Sequence, residues 1–129
     1  MDTNLDVNTM PSLSLAFIGD SVYEILVREY LCKAHTGRVG IMNKLKVDMV
    51  CCKAQAEAVK KILPLLSEEE QGVFRRGRNA NVNSASKSSS LADYHAATGL
   101  EALFGYLYLS GREARCRELF GIITEENNA

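Results

Sequence analysis

Two carboxylates in this chain stand where apolar residues are the rule. Asp20 lies in the run LSLAFIGDSVYEILV, residues 13–27. At about 100° per residue, a helix over 13–31 places Ser14, Ser21, Glu24 and Arg28 on one narrow polar stripe, with Asp20 at its edge. Leu13, Phe17, Val27 and Leu31 surround it there. A carboxylate in such company is costly unless a hydrogen bond, a cation or a metal offsets its lost hydration. Glu101 repeats the situation as the one charge in HAATGLEALFGYLYLSG, residues 95–111. Its helical neighbours Ala97, Thr98, Phe104, Gly105 and Tyr108 include nothing that could neutralise it. The competing explanation for either residue alone is a solvated acid, or one paired with a nearby lysine or arginine. That both break the pattern of their own helix points to function, and together they suit a divalent metal.

The chemistry of such a pair follows from its charge. Two carboxylates about 4 Å apart repel by roughly 4 kcal/mol at an effective dielectric near 20. Magnesium held between them removes that penalty, keeps part of its water shell and can activate water for attack on a phosphorus. Glu24, one turn beyond Asp20, is either a further carboxylate for the site or the partner of Arg28. His35 and His95 lie in unrelated contexts and read as surface or packing residues. No serine, cysteine or histidine arrangement offers a nucleophile.

A second candidate function lies in residues 75–90, RRGRNANVNSASKSSS, which contain no acidic residue. Arg75, Arg76, Arg78 and Lys87 supply positive charge, and Asn79 with the serines supplies neutral hydrogen-bonding groups. Such a segment suits phosphate contacts that position a nucleic acid without reading its sequence. No aromatic residue is interleaved, so the expected ligand is a duplex backbone rather than stacked single-stranded bases. The plainer alternative is a polar loop with solvated arginines.

Helices must carry these residues. Pro11 suits a first helical turn, with Thr9 or Ser12 as caps, and opens a helix over about 12–34. Residues 35–40 read as a loop. A single long helix is predicted over 41–63, apolar at Met42, Leu45, Met49, Cys52, Ala56, Val59 and Leu63 and stopped by Pro64. Ser67 with Glu70 is a capping box for a short helix ending near Arg76, with Gly77 as its stop. A strongly apolar helix follows over 91–110, ended by Gly111, and an amphipathic helix over 113–123 completes the pattern. No strand periodicity or repeat is present. The expected fold is all-α, with residues 1–11 an N-terminal extension, 12–124 one helical domain and 125–129 a tail.

Composition agrees. The 129 residues suit one domain with a real core, at 47% hydrophobic and 24% charged. No apolar run reaches the roughly 18 residues of a membrane span, and the acidic start MDTNLDVNTM does not read as a signal peptide. A cytoplasmic protein with no membrane role is expected. Cys32, Cys51, Cys52 and Cys116 show no zinc spacing and read as buried reduced thiols. The net charge of −1 excludes a globally basic nucleic-acid binder but not a local patch.

The motifs carry a family resemblance. FIGDSVYE, residues 17–24, resembles the signature helix of ribonuclease III domains, roughly F-L-G-D-A-V. GLEALFGYLYLSG, residues 99–111, resembles that family's second motif, F-E-A-L-x-G-x-x-Y-L. RGRNA at 76–80 and KAQA at 53–56 resemble the small branch called Mini-ribonuclease III. The resemblance implies an all-α endonuclease domain that hydrolyses double-stranded RNA with Mg2+ as a homodimer. In that branch it implies maturation of large-subunit (23S) ribosomal RNA, so a ribosomal RNA precursor is the implied partner. Asp20 and Glu101 match the metal-binding and catalytic carboxylates; Arg75, Arg76, Arg78, Asn79 and Lys87 are the RNA-binding candidates. Ordinary bacterial ribonuclease III carries a glutamate at the position of Ala16 and an aspartate at that of Thr98, losses that the small branch shares. The alternative is a non-catalytic helical RNA-binding or ribosome-assembly module with a degenerate site, or an interaction protein whose carboxylates pair with partner arginines. The first helix is apolar around most of its circumference, so some of Leu13, Phe17, Val22, Leu26 and Tyr30 are expected to meet a second copy.

Overall fold

The computed structural model describes residues 6–80 and 90–125. Among these, six α-helices and no strand are present: α1 Ser12–Ala34, α2 Val39–Val50, α3 Cys52–Ile62, α4 Glu68–Asn79, α5 Leu91–Leu109 and α6 Glu113–Glu125. The all-α expectation therefore holds. No described helix is long and apolar enough to cross a membrane.

Helix α5 is the spine. It packs against α1, α3, α4 and α6, and its Leu100, Leu103, Phe104 and Leu107 are fully buried. Burial of each such side chain stabilises the fold by about 1.5–3 kcal/mol. Tyr23 of α1 meets Phe104 edge-on at 5.2 Å and Phe120 of α6 at 5.6 Å, joining three helices in one core. The chain before α1 is tied down as well, because Asp6 caps a 3-10 turn at Val7–Thr9 and the Asn8 side chain lies 3.2 Å from the Tyr106 hydroxyl, which donates to the Glu69 carboxylate.

Several helix ends differ from the sequence reading. Pro11 is the residue before α1 rather than part of its first turn, and no side chain caps that end. The long helix expected over 41–63 is two helices, broken where Cys51 takes an extended backbone with φ −67° and ψ 157°. The apolar spacing runs unbroken through the break, but α2 lies on α1 whereas α3 turns in to pack on α5. Tertiary packing thus overrides a periodic pattern at two cysteines of middling helix propensity. Helix α4 starts with the expected Ser67–Glu70 capping box, yet it runs through Gly77 to Asn79. Gly77 is buried against α5, where an added Cβ would lie 2.6 Å from Ala102 Cβ. It is a packing glycine, not a stop. Gly111 is the stop expected for α5, with φ 77°. Of the four cysteines only Cys116 is buried; Cys32 and Cys51 are exposed.

Candidate active site

The site begins with two glycines. Helices α1 and α5 cross so closely that a Cβ on Gly19 would sit 1.6 Å from the Glu101 carbonyl oxygen, and one on Gly105 would sit 2.0 Å from that of Leu15. No residue with a side chain fits either place. A glycine inside a helix is unfavourable by about 1 kcal/mol relative to alanine, so two of them mark a close approach. The crossing sets Asp20, next to Gly19, against the side chain of Glu101, and the two share a hydrogen bond. The two lone carboxylates of the sequence are thus one cluster.

Helix α3 contributes a third polar group. Gln55 is 2% exposed, on the face of α3 that also buries Ala56, Ala58, Val59 and Ile62, and its carboxamide lies near the Glu101 carboxyl. Sequence reasoning did not single out Gln55. The signal was present, because a glutamine occupies a position in the apolar stripe of that helix.

Electrostatics at Glu101 reflects its three surroundings. Its pKa is pushed up to about 8, chiefly by burial, then by the charge of Asp20 and the hydrogen bond with it; the Gln55 contact works in the opposite direction. A carboxyl group so placed holds a proton near neutral pH that a cation can replace. Two carboxylates and one carboxamide are hard oxygen donors of the kind Mg2+ accepts, and Mg2+ ordinarily uses one or two carboxylates and keeps several waters. The donor set therefore fits that ion. No third acidic group joins them: no cluster of three metal-ligating side chains exists among the described residues. At the two positions where the resemblance implies that acids have been lost, Ala16 is buried in the core and the Thr98 hydroxyl donates to the Tyr94 carbonyl at 3.1 Å. Glu24 is held by Arg28 at 2.9 Å, so of its two sequence readings the ion pair is the one formed. Asp20, Ser21, Glu24, Ile25 and Arg28 line an open groove of about 360 Å³.

The α4 arginines divide. Arg75 and Arg78 line a groove of about 420 Å³ with Leu63, Pro64, Gln71 and Phe74. Arg78 lies over the Phe74 ring at 5.8 Å and donates to Asn79 Oδ1 at 3.3 Å. Arg76 lies on the other flank, its guanidinium folded back over Gly72. Among the described residues, no acidic side chain pairs with any of the three. Lys87 lies outside the described residues. Helix α5 carries both regions, since Thr98, Gly99 and Ala102 receive α4 while Glu101 between them meets α1 and α3.

Of the residues named for a seam on α1, Val22 and Leu26 are buried in the core, and Tyr30 is partly buried against Phe120 at 6.1 Å. The exposed large apolar side chains of α1 are Leu13, Phe17 and Ile25, with Phe17 84% exposed.

Comparison with known proteins agrees with this architecture. The family model described as the ribonuclease III domain matches residues 13–112. The Mini-ribonuclease 3 of Symbiobacterium thermophilum is 45% identical over 111 residues, covering 86% of this chain and 85% of that protein. The Mini-ribonuclease 3 of Brevibacillus brevis is 40% identical over 126 residues, covering 95% and 94%. A crystal structure of a Fusobacterium nucleatum protein superposes with a TM-score of 0.83 at 29% identity, covering 96% of this chain and 99% of that one.

Proposed function

The chain belongs to the ribonuclease III domain family and is an endoribonuclease, and on that premise we propose that it hydrolyses double-stranded RNA at a magnesium centre held by Asp20 and Glu101. The observation that carries this reading is the glycine-enforced crossing that brings the two lone carboxylates into contact. Nothing in the packing requires acids there. A structural crossing would be served as well by serine or alanine side chains beside the glycines, without two carboxylates set against each other.

Bound there, the ion supplies Lewis acidity toward the phosphate and lowers the pKa of the attacking water. Asp20 and Glu101 hold and orient it, and their proximity makes the site a poor home for anything but a cation. Arg75, Arg78 and Asn79 at the end of α4, with Arg76 on its other flank and Lys87 beyond, contact phosphates along the duplex and set its register without reading bases. Products with 5′-phosphate and 3′-hydroxyl ends are expected. The functional unit is a homodimer, each subunit cutting one strand, and the natural substrate is a ribosomal RNA precursor in maturation of 23S RNA in the cytoplasm. Exposure of Leu13, Phe17 and Ile25 beside Asp20 supports the dimer; the similarity to Mini-ribonuclease 3 proteins supports the substrate.

The test is incubation of matched single-stranded and double-stranded RNAs, including a 23S precursor stem, with protein and Mg2+. Cleavage confined to duplex, leaving 5′-phosphate ends, is the expected result. Equal cleavage of single strands, or none of either RNA, would overturn the proposal.

A further inference from the structure

Tyr23 is 2% exposed, and its ring is fixed edge-on against Phe104 and Phe120. A buried phenol ordinarily finds a hydrogen-bond partner, but this hydroxyl has none among the described residues. Nor is it sealed in the core, because His95 Nε2 is the one enclosed side-chain polar atom without a partner among those residues. The hydroxyl opens instead on a recess of about 240 Å³ that Tyr23 lines, on the far side of α1 from the Asp20 groove and sharing only α1 with it. Met49, Ala54, Ala58 and Ile123 give the recess apolar walls, and Asp48 and Glu57 give it two acidic side chains. Its other charge is Lys61, whose ammonium is held on the Ile123 carbonyl at 2.9 Å. Glu57 also meets Lys60 at 3.1 Å, an exposed pair of little strength. The backbone adds to the negative side, because Asp48 and Met49 belong to the last turn of α2 and Ile123 and Thr124 to that of α6. Helix C-termini favour cations. An anion is therefore disfavoured here, and apolar walls do not suit a bare metal ion, which needs oxygen on most sides. A hydrocarbon stem ending in an ammonium matches every part of the lining.

We propose that this recess binds the primary ammonium end of an aliphatic polyamine, with the Tyr23 hydroxyl oxygen accepting one of its N–H bonds and Asp48 and Glu57 supplying the opposite charge. The methylene stem lies on Met49, Ala54, Ala58 and Ile123. An ammonium has three N–H donors, and hydrogen bonds from a charged donor are about twice as strong as neutral ones. The site is separate from the Asp20–Glu101 centre and does not depend on what that centre does.

The experiment titrates putrescine into the RNA-free protein by calorimetry, with butanediol as the neutral chain of the same length. Wild type is expected to bind putrescine and not the diol. Tyr23→Phe removes the unpartnered hydroxyl and keeps the ring, so it should melt at or above the wild-type Tm and bind putrescine about 10-fold more weakly. The double variant Asp48→Asn, Glu57→Gln changes two exposed side chains and should lose at least as much affinity; it carries the test should Tyr23→Phe fail to fold. Asp20→Asn should bind putrescine as wild type does, which separates this recess from the carboxylates of the candidate active site. No binding of putrescine by wild type, equal binding of the diol, or unchanged affinity in either folded recess variant overturns the proposal. Affinity lost in Asp20→Asn and kept in Tyr23→Phe overturns it too, by moving the amine to the Asp20 groove.

Discussion

Removing the charge of Glu101 should strengthen the metal-free fold rather than weaken it. The carboxyl group is half-buried against Asp20, and both burial and that neighbour work against its ionised form. Glu101→Gln keeps the shape and removes the conflict, so in chelating buffer at neutral pH its Tm is expected to equal or exceed that of wild type. A fall of several degrees would mean that the carboxylate is a structural group. At the surface, replacing Arg75, Arg76 and Arg78 with alanine should weaken duplex binding and flatten its salt dependence, by up to about one unit of slope per lost phosphate contact. Unchanged affinity at several salt concentrations would make these arginines solvated surface. Glu101 was legible in the sequence because a charge in an apolar helix has few cheap explanations, whereas Asp20, exposed on α1, draws its interest from facing Glu101 rather than from burial. Gln55 was not, because an uncharged residue interrupts an apolar stripe without announcing a cost. Its place near Glu101 appears only when α3 turns in toward α5.

Between elements, the glycines decide whether there is a site at all. In Gly19→Ala the new methyl would meet backbone, not a side chain that can swing away. The helices must separate, at a cost of about 3 kcal/mol or more, and Asp20 moves away from Glu101 with them. Urea unfolding should show the lower midpoint, and a wild-type midpoint would contradict the crossing. A second joint is the clamp between α4 and α6. Glu70 accepts from the Ser67 backbone in the capping box and from Arg115 Nε and Nη2, both at 2.9 Å. The Arg115 guanidinium holds the Glu70 carboxyl below the usual carboxylate range, with burial opposing. A lowered pKa gives stability that is present above the unfolded pKa of about 4.5 and lost as pH falls through the folded value. Glu70→Gln is therefore expected to cost about 1.5–3 kcal/mol near neutral pH. The gap to wild type should close as pH drops through and below the carboxylate range; a gap independent of pH would refute the clamp. Helix content and most boundaries followed from periodicity, caps and Gly111. The break at Cys51 did not, since the apolar spacing of α2 and α3 runs through it. Nor did the role of Gly77, because a glycine near a helix end reads as a stop until a second helix is seen to need its space.

For the whole molecule, the apolar circumference of α1 was correctly read as more than one core needs in part only. Val22 and Leu26 belong to the subunit's own core, whereas Leu13, Phe17 and Ile25 are left outside. Periodicity cannot make that division, because it does not say how many helices surround α1. Phe17 is the sharpest case, at 84% exposed, and burying such a side chain in an interface is worth about 1.5–3 kcal/mol. Phe17→Asp should give monomers with unchanged helix content in sedimentation, whereas wild type is expected to sediment as a dimer. A wild-type monomer at micromolar concentration that still cuts both strands would rule the dimer out. The most direct test of the central claim, that Asp20 and Glu101 form one metal-dependent centre acting on duplex RNA, is cleavage of a long duplex by wild type, Asp20→Asn and Glu101→Gln in Mg2+, with wild type repeated in chelator. Cleavage by wild type in Mg2+ and by none of the other three is the expected result; near-normal turnover by either variant, or by wild type in chelator, would contradict it.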